Sequence, residues 1–329
     1  MELIQNLLAG NRLALARLLS NVENDTPEGR QALDALFPHT GKAHLIGVTG
    51  APGTGKSSLV NQMALHFRKQ EKRVAIVAID PSSPFTGGAV LGDRVRMRDL
   101  SGDPGVFIRS MASRGSLGGL ATATAAITQV FDAAGFDVIL IETVGAGQSE
   151  VDIARLAHTT IVVEAPGLGD DIQAIKAGIL EIADILVINK ADRPGVEATE
   201  RALRTMLELA HPVRKVFRHH GQIMELNGPE TRDSALWIPP IQRAVATEGR
   251  GVPELLEAIQ RHVAHLRSSG DWTRRERARL EAEFNLIFQE TLVARFLSKI
   301  PPKSMDQMLE SIQKRKISPR EAVHQLLNR

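Results

Sequence analysis

An apolar run, a glycine-rich turn and a helix-forming run stand directly in series from residue 43 to residue 67, and few architectures accommodate that series. Ala43-His-Leu-Ile-Gly-Val-Thr49 reads as a buried strand, and Ser58-Leu-Val-Asn-Gln-Met-Ala-Leu-His-Phe67 reads as a helix. The turn between them is Gly50, Ala51, Pro52, Gly53, Thr54, Gly55, Lys56 and Ser57, with Ser58 next in the helix. Strand, glycine turn and helix in that order turn a GxxxxGK match followed by serine into a phosphate-binding loop. The glycines let backbone N–H groups face a polyphosphate. The helix start adds unpaired N–H groups and the favourable end of its dipole. In such a loop Lys56 reaches the β- and γ-phosphates and Ser57 binds Mg2+. The loop alone leaves open which nucleotide is held and what its hydrolysis serves.

The rest of the chain extends that unit. Strands are expected at 43–48, 73–79, 106–109, 137–141, 160–164 and within 182–188. Helices are expected from the turn to about Gln70 and over 121–131, 172–180, 196–210 and 252–266, and another begins near Asp93. Alternation of this kind gives an α/β domain, a mostly parallel sheet flanked by helices. Residues 110–119 and 143–150 read as loops, and 232–240 as loop with room for a short strand near Trp237. The organisation expected is an N-terminal helical segment over 1–40, a nucleotide domain over 41–268 and a C-terminal helical segment over 269–329. Within the last, Leu280, Phe284, Ile287, Phe288, Leu292 and Phe296 recur at spacings of three or four, with Leu297 adjoining. That stripe needs a partner surface. A homodimer seam is the favoured reading, and packing in cis is the other.

Composition removes several classes. With 43% hydrophobic residues in 329, the chain can bury a sizeable core. Its net charge of +2 argues neither for a nucleic-acid binder nor for a strongly acidic tail, and no nucleic-acid partner is expected. The five arginines of 267–279 are mixed with Asp271 and Glu276, as on a solvated helix face. Without cysteine there are no disulfides or thiolate ligands. No apolar run approaches the roughly 20 residues of a membrane span, and no signal peptide is visible. A cytoplasmic protein with no membrane attachment is expected.

Four strand tips should line one crevice: the phosphate loop, Asp80, Glu142, and Asn189-Lys-Ala-Asp192. The last names the base. The Asp192 carboxylate in an NKxD loop accepts hydrogen bonds from guanine N1–H and the 2-amino group, which adenine does not offer. Asn189 braces the loop near guanine O6 and N7, and the Lys190 stem covers the base face. Val245, Ala246 and Thr247 stand before a helix, where backbone N–H groups reach guanine O6. Ser57 is the direct Mg2+ ligand expected; Asp80, Asp93 and Glu142 are candidates for direct or water-mediated contact. Glu142-Thr-Val-Gly145 stands where many GTPases have Asp-x-x-Gly, so Gly145 N–H is placed to sense the γ-phosphate. Gln148 is two positions too far along to be assigned as the water-activating group, which points to slow intrinsic hydrolysis accelerated by a partner. The loops 86–93 and 167–176 carry glycines and carboxylates suited to switching.

Taken together these segments resemble one family, the MeaB-like (ArgK-type) GTPases that serve adenosylcobalamin-dependent acyl-CoA mutases. The pieces that carry it include Gly10-Asn-Arg-Leu-Ala-Leu-Ala-Arg17, Asp80-Pro-Ser-Ser-Pro-Phe-Thr-Gly-Gly88, Leu91-Gly-Asp-Arg-Val-Arg-Met97 and Arg114-Gly-Ser-Leu-Gly-Gly119. Ile141-Glu-Thr-Val-Gly-Ala-Gly-Gln-Ser-Glu150, Gly169-Asp-Asp-Ile-Gln-Ala-Ile-Lys-Ala-Gly178 and Ala183-Asp-Ile-Leu-Val-Ile-Asn-Lys-Ala-Asp192 complete the match. The resemblance implies a P-loop NTPase of the SIMIBI type with helical extensions. It also implies a homodimer that binds GTP or GDP with Mg2+ and times loading of adenosylcobalamin onto the mutase. The cofactor would be handled by the partner mutase rather than bound alone. In that family the residues matching Asp80, Asp93 and Glu142 surround the metal, and Lys176 matches a lysine in a third switch loop. Lys56, Asp93, Glu142, Gly145 and Lys176 are therefore the residues expected to act in hydrolysis. Two rival readings are a nucleotide-controlled regulator without cofactor transfer and a transport-linked ATPase or kinase.

Overall fold

The computed structural model describes residues 2–81, 97–100, 102–113, 119–143, 149–167, 182–210, 217–219, 222–224 and 236–327. Asp93, Gly145, Gln148 and Lys176 lie outside them, with the loop at 86–93 and the helix expected at 172–180. The chain opens with α1 (Glu2–Leu8), α2 (Arg12–Glu23) and α3 (Pro27–Leu36). It continues through β1 (His44–Thr49), α4 (Lys56–Lys69), β2 (Val74–Pro81), β3 (Val106–Ser113), α5 (Gly119–Ala133), β4 (Val138–Glu142) and α6 (Ser149–Leu156). Then come β5 (Thr159–Glu164), β6 (Ile185–Ile188), α7 (Val196–Ala210), β7 (Phe217–His219), β8 (Gln222–Met224), β9 (Ile241–Arg243) and α8 (Val252–Ser269). The last helices are α9 (Asp271–Leu297), α10 (Pro302–Gln313) and α11 (Pro319–Leu327).

Seven strands form one sheet in the order β3–β2–β4–β1–β5–β6–β9, while β7 and β8 form a separate antiparallel pair. Every neighbouring pair in the large sheet is parallel. The expected α/β architecture is borne out. Covered strands explain the near-continuous apolar runs: all of Val138–Glu142 and Thr159–Glu164 is buried. One face packs Ile46, Val48, Leu140 and Ile161 against Leu59, Val60 and Met63 of α4 and Leu255 and Ile259 of α8. The other packs Val77, Ile139 and Ile141 against Ile127, Val130 and Phe131 of α5 and Leu15, Leu18 and Leu19 of α2. The N-terminal helices are held in that layer by local signals. Asn11 caps α2, and Thr26 caps α3 with proline at its first position.

β1 enters the sheet under control of Asp132 on α5. Its buried carboxylate accepts from the N–H groups of Gly41 (2.6 Å), Lys42 (3.1 Å) and Ala43 (3.0 Å). β1 lies between β4 and β5. An open sheet places its ligand crevice at such a central reversal, beyond the carboxyl ends of the strands.

The opposite ends of the same strands carry a buried polar cluster. Asp184, just before β6, receives both arms of Arg275 from the first turns of α9, at 2.8 and 2.7 Å, and lies 3.3 Å from His262 of α8. His158, just before β5, accepts from Leu45 N–H at 3.0 Å on Nδ1, so its Nε2 carries the proton it shares with Glu276. Trp272 stacks on His158 with ring centres 4.1 Å apart. His44 meets Thr159 Oγ1 at 2.8 Å.

Three local expectations change. β3 runs on through Ser113, because Ala112 and Ser113 pair with Asp80 and Pro81 of β2. Ser149–Leu156 is a helix rather than a loop end, and its Ile153 lies so close to β1 that a Cβ on Gly47 would be 2.4 Å from it. The strand before α8 is Ile241–Arg243 rather than a segment at Trp237, whose indole instead donates to Asp184 O at 2.8 Å.

The chain divides into two compact units, 1–279 and 280–329. In the second, Leu280, Phe284, Ile287, Phe288, Leu292, Val293 and Leu297 of α9 are exposed. Phe284 and Phe288 stack on each other at 5.9 Å. Met308 and Ala322 are buried.

Candidate functional site

The loop from Gly50 to Lys56 leaves β1 in a path that only glycine permits at two points. Gly50 has φ 141°, and a Cβ there would fall 2.0 Å from Val163 O on β5. Gly55 has φ 91° at the N-cap of α4, and a Cβ would fall 2.4 Å from Asn189 Nδ2. The loop is thus pressed between β5 and the segment after β6. Thr54, fully buried, closes the turn by donating its hydroxyl to Ala51 O at 2.9 Å.

Lys56 is buried and bent back over the turn, donating from Nζ to Gly50 O at 2.8 Å and Ala51 O at 3.0 Å. Its ammonium therefore sits inside the concavity the loop encloses, beside the N-terminus of α4, where an anionic phosphate meets favourable charge. Ser57 follows in the first turn of α4. Its hydroxyl donates to Glu142 Oε1 at 2.5 Å, and both side chains are buried. Glu142 ends β4, the neighbour of β1, in register with Val48. A hydroxyl and a carboxylate meeting there suit a hard divalent cation, which takes oxygen ligands. Asp80 lies near the C-terminal end of β2, opposite Ala112, two residues past the position that faces Glu142.

The third wall comes from β6 and β9. Asn189 Nδ2 donates to Thr54 O at 2.8 Å and Gly55 O at 3.4 Å, while its Oδ1 accepts from Ala246 N–H at 3.0 Å. The carboxamide thereby ties the phosphate loop to the segment containing Val245, Ala246 and Thr247. Its polar atoms are directed at backbone, which makes the bracing part of its expected role visible. Lys190 has φ 56° and sends Nζ to Gly53 O at 2.6 Å, which lays its stem along the mouth of the loop. Asp192 is exposed, as are Pro52, Gly53 and Thr247. Val245 and Ala246 are buried, and Val245 N–H bonds Arg250 O at 3.0 Å to close a tight turn before α8. Ser58 is half-buried on α4. Arg109 is paired with Glu23 of α2, an ordinary ion pair.

One pair of residues escaped the reading of the sequence. Thr143 Oγ1 donates to Thr49 Oγ1 at 2.9 Å, joining the residue after Glu142 to the residue before Gly50. The only signal available in the sequence is a hydroxyl side chain directly abutting each motif.

A phosphate cradle, a buried Ser–Glu pair and an NKxD loop tied to the cradle by Asn189 and Lys190 together suit a Mg2+-nucleotide. A family model described as methylmalonyl Co-A mutase-associated GTPase MeaB matches residues 15–300. The chain belongs to that family. It is accordingly a GTP hydrolase that binds GTP or GDP with Mg2+. A putative GTPase of Pyrococcus abyssi is 44% identical over 326 residues, covering 99% of this chain and 95% of that protein. The GTPase ArgK of Escherichia coli is 35% identical over 99% of this chain and 95% of its own length. The mouse protein named methylmalonic aciduria type A homolog, mitochondrial, is 29% identical over 93% of this chain and 73% of itself. Among solved structures, one titled LAO/AO transport system kinase superposes with a TM-score of 0.69 at 28% identity, covering 99% of this chain and 96% of that one. Among the described residues of this MeaB-family chain, no helix is long and apolar enough to cross a membrane.

Proposed function

We propose that this MeaB-family GTPase is a nucleotide-timed chaperone for an adenosylcobalamin-dependent acyl-CoA mutase, methylmalonyl-CoA mutase first among them. The observation that carries the reading is the family match over residues 15–300, whose description is a methylmalonyl Co-A mutase-associated GTPase. The name of the mouse relative supports it. GTP binding and hydrolysis gate the loading of intact cofactor and protect or reactivate the mutase. Adenosylcobalamin is held by the mutase. The chain works as a homodimer through the apolar face of α9, in the cytoplasm.

The residue roles belong to the same proposal. Backbone N–H groups of 50–57 and the Lys56 ammonium bind the phosphates. Ser57 and Glu142 hold Mg2+, with Asp80 and Asp93 near it. Mg2+ neutralises charge on the β- and γ-phosphates. Gly145 senses the γ-phosphate, and Lys176 answers the mutase. Asp192 selects guanine by accepting from N1–H and the 2-amino group, Lys190 covers the base, and Asn189 with Val245–Thr247 fixes the loop around it. The test is cofactor loading onto apo-mutase in the presence of this chain with GTP, with a non-hydrolysable GTP analogue, and with GDP. Loading that depends on the nucleotide state is expected. Loading indifferent to nucleotide would overturn the chaperone reading and favour a regulator without cofactor transfer.

A further inference from the structure

We infer that Thr49 and Thr143 are positioning residues: their buried hydrogen bond locks the tip of β4 to the tip of β1 and so holds the Glu142 carboxylate against Ser57. This rests on the reading of Ser57 and Glu142 as the cation's partners.

The sheet's alternation sets the geometry. Leu140 and Val48 face the core beneath α4 and α8, whereas Ile139 and Ile141 face the core beneath α5. Glu142 therefore points to the α4 side, where Ser57 waits, and Thr143 points to the other side. Gly47 faces Ile153 of α6, so Thr49, two residues on, also points away from α4. The two threonines meet there. The β1–β4 register ends at Val48 opposite Glu142. Thr143 N–H carries the ladder one bond further, to Val48 O at 3.1 Å. The hydroxyl bond of 2.9 Å follows. Thr49 is 0% exposed and Thr143 is 1% exposed.

Stability alone does not call for hydroxyls at these places. Valine has the same shape, and burying two hydroxyls carries a desolvation cost that a single hydrogen bond only offsets. What the bond adds is direction. It fixes the backbone immediately after Glu142 to the backbone immediately before Gly50, where both chains leave the sheet. Glutamate has one more rotatable bond than the aspartate common at this position, so its carboxylate depends more on a fixed backbone.

The experiment compares Thr143→Val, Thr49→Val, the double variant and the conservative Thr143→Ser in the full chain. It reads affinity for a fluorescent GTP analogue with EDTA and with Mg2+, and the Mg2+ concentration giving half-maximal hydrolysis. Thr143→Val is expected to raise that concentration about three- to tenfold, the size of one hydrogen bond. The loss of affinity with Mg2+ should be several times larger than the loss with EDTA. Thr143→Ser should restore both, and the double variant should be no worse than the single ones. Unchanged Mg2+ dependence in Thr143→Val would overturn the inference. So would equal losses with and without Mg2+ that serine does not recover, because the threonines would then be structural only. Ser57→Ala separates the two levels. If it too left Mg2+ dependence unchanged, the cation assignment would fall, and this inference with it.

Discussion

Asn189 and Asp192 stand in one loop, and the proposed function gives them different work. Asn189 directs its carboxamide to Thr54 O and to Ala246 N–H, so it joins the phosphate loop to the base loop. Asn189→Ala should lower affinity for GTP, GDP and xanthosine nucleotides together, because it loosens both loops without changing what reads the base. Asp192→Asn should behave otherwise. Removing the paired acceptors costs about 3 kcal/mol against guanine, roughly a hundredfold, and xanthosine triphosphate should lose far less. Competition binding with the three nucleotides checks both variants; equal effects of Asp192→Asn on guanine and xanthine would remove it from base selection. The NKxD spacing made this loop legible in the sequence. The direction of the Asn189 side chain was not legible, because it depends on β1, β5, β6 and β9 lying side by side in that order. At the other end of β1, burial and the nearby His158 and His262 hold the His44 ring down at about 3, against 6.5 when exposed. The folded state thus binds fewer protons than the unfolded one across that window, so stability is lost as pH falls below about 6.5. His44 keeps part of its surface in solvent, which narrows the shift and therefore the pH window over which up to ~1.4 kcal/mol per pH unit is lost. Denaturant melts at pH 7 and pH 5 should show it, and His44→Gln should flatten the difference.

The elements differ in how plainly the sequence announces them. β1, β4 and β5 are largely apolar runs because helices cover both faces of the sheet, and the 3.6-residue pattern of α7 marks it as a helix. β9 is three residues long, half exposed and contains Gln242 and Arg243, so neither period nor apolarity marks it. α6 is eight residues long, too short for its amphipathic pattern to stand out from the loop before it. The root of α9 is a different case. No residue of α9 is buried, and its root is held by Arg275, Glu276 and Trp272 rather than by an apolar seam. Burial by itself would raise the Glu276 carboxyl, but hydrogen bonds from His158 and Arg279 bring it down to about 2. Asp184 likewise stays below the usual carboxylate range: burial would raise it, but the hydrogen bonds of Arg275 and the nearby His262 ring outweigh that. Arg275→Met leaves Asp184 buried without its main cation. Such a change costs about 3 kcal/mol, and a urea melt of the full chain should show the midpoint falling accordingly. A midpoint unchanged by Arg275→Met would mean that the ion pair does not hold the helix root.

At the scale of the whole molecule, seven apolar side chains on the α9 segment of the second unit remain exposed in a single copy. Contiguous exposed apolar surface marks an interaction site, and a second copy of the same helix fits the homodimer proposed above. Phe284→Glu with Phe288→Glu should convert a dimer to a monomer in sedimentation while leaving GTP binding in place; a wild-type chain that sediments as a monomer would refute the seam. Under the proposal above, hydrolysis is slow until the mutase accelerates it. The most direct measurement is therefore the rate of GTP hydrolysis by this chain alone and with purified methylmalonyl-CoA mutase. A slow rate alone and a severalfold or greater acceleration with the mutase are predicted. The same rate with and without the mutase, at concentrations well above that of the GTPase, would contradict the proposal that GTP turnover times service to that enzyme.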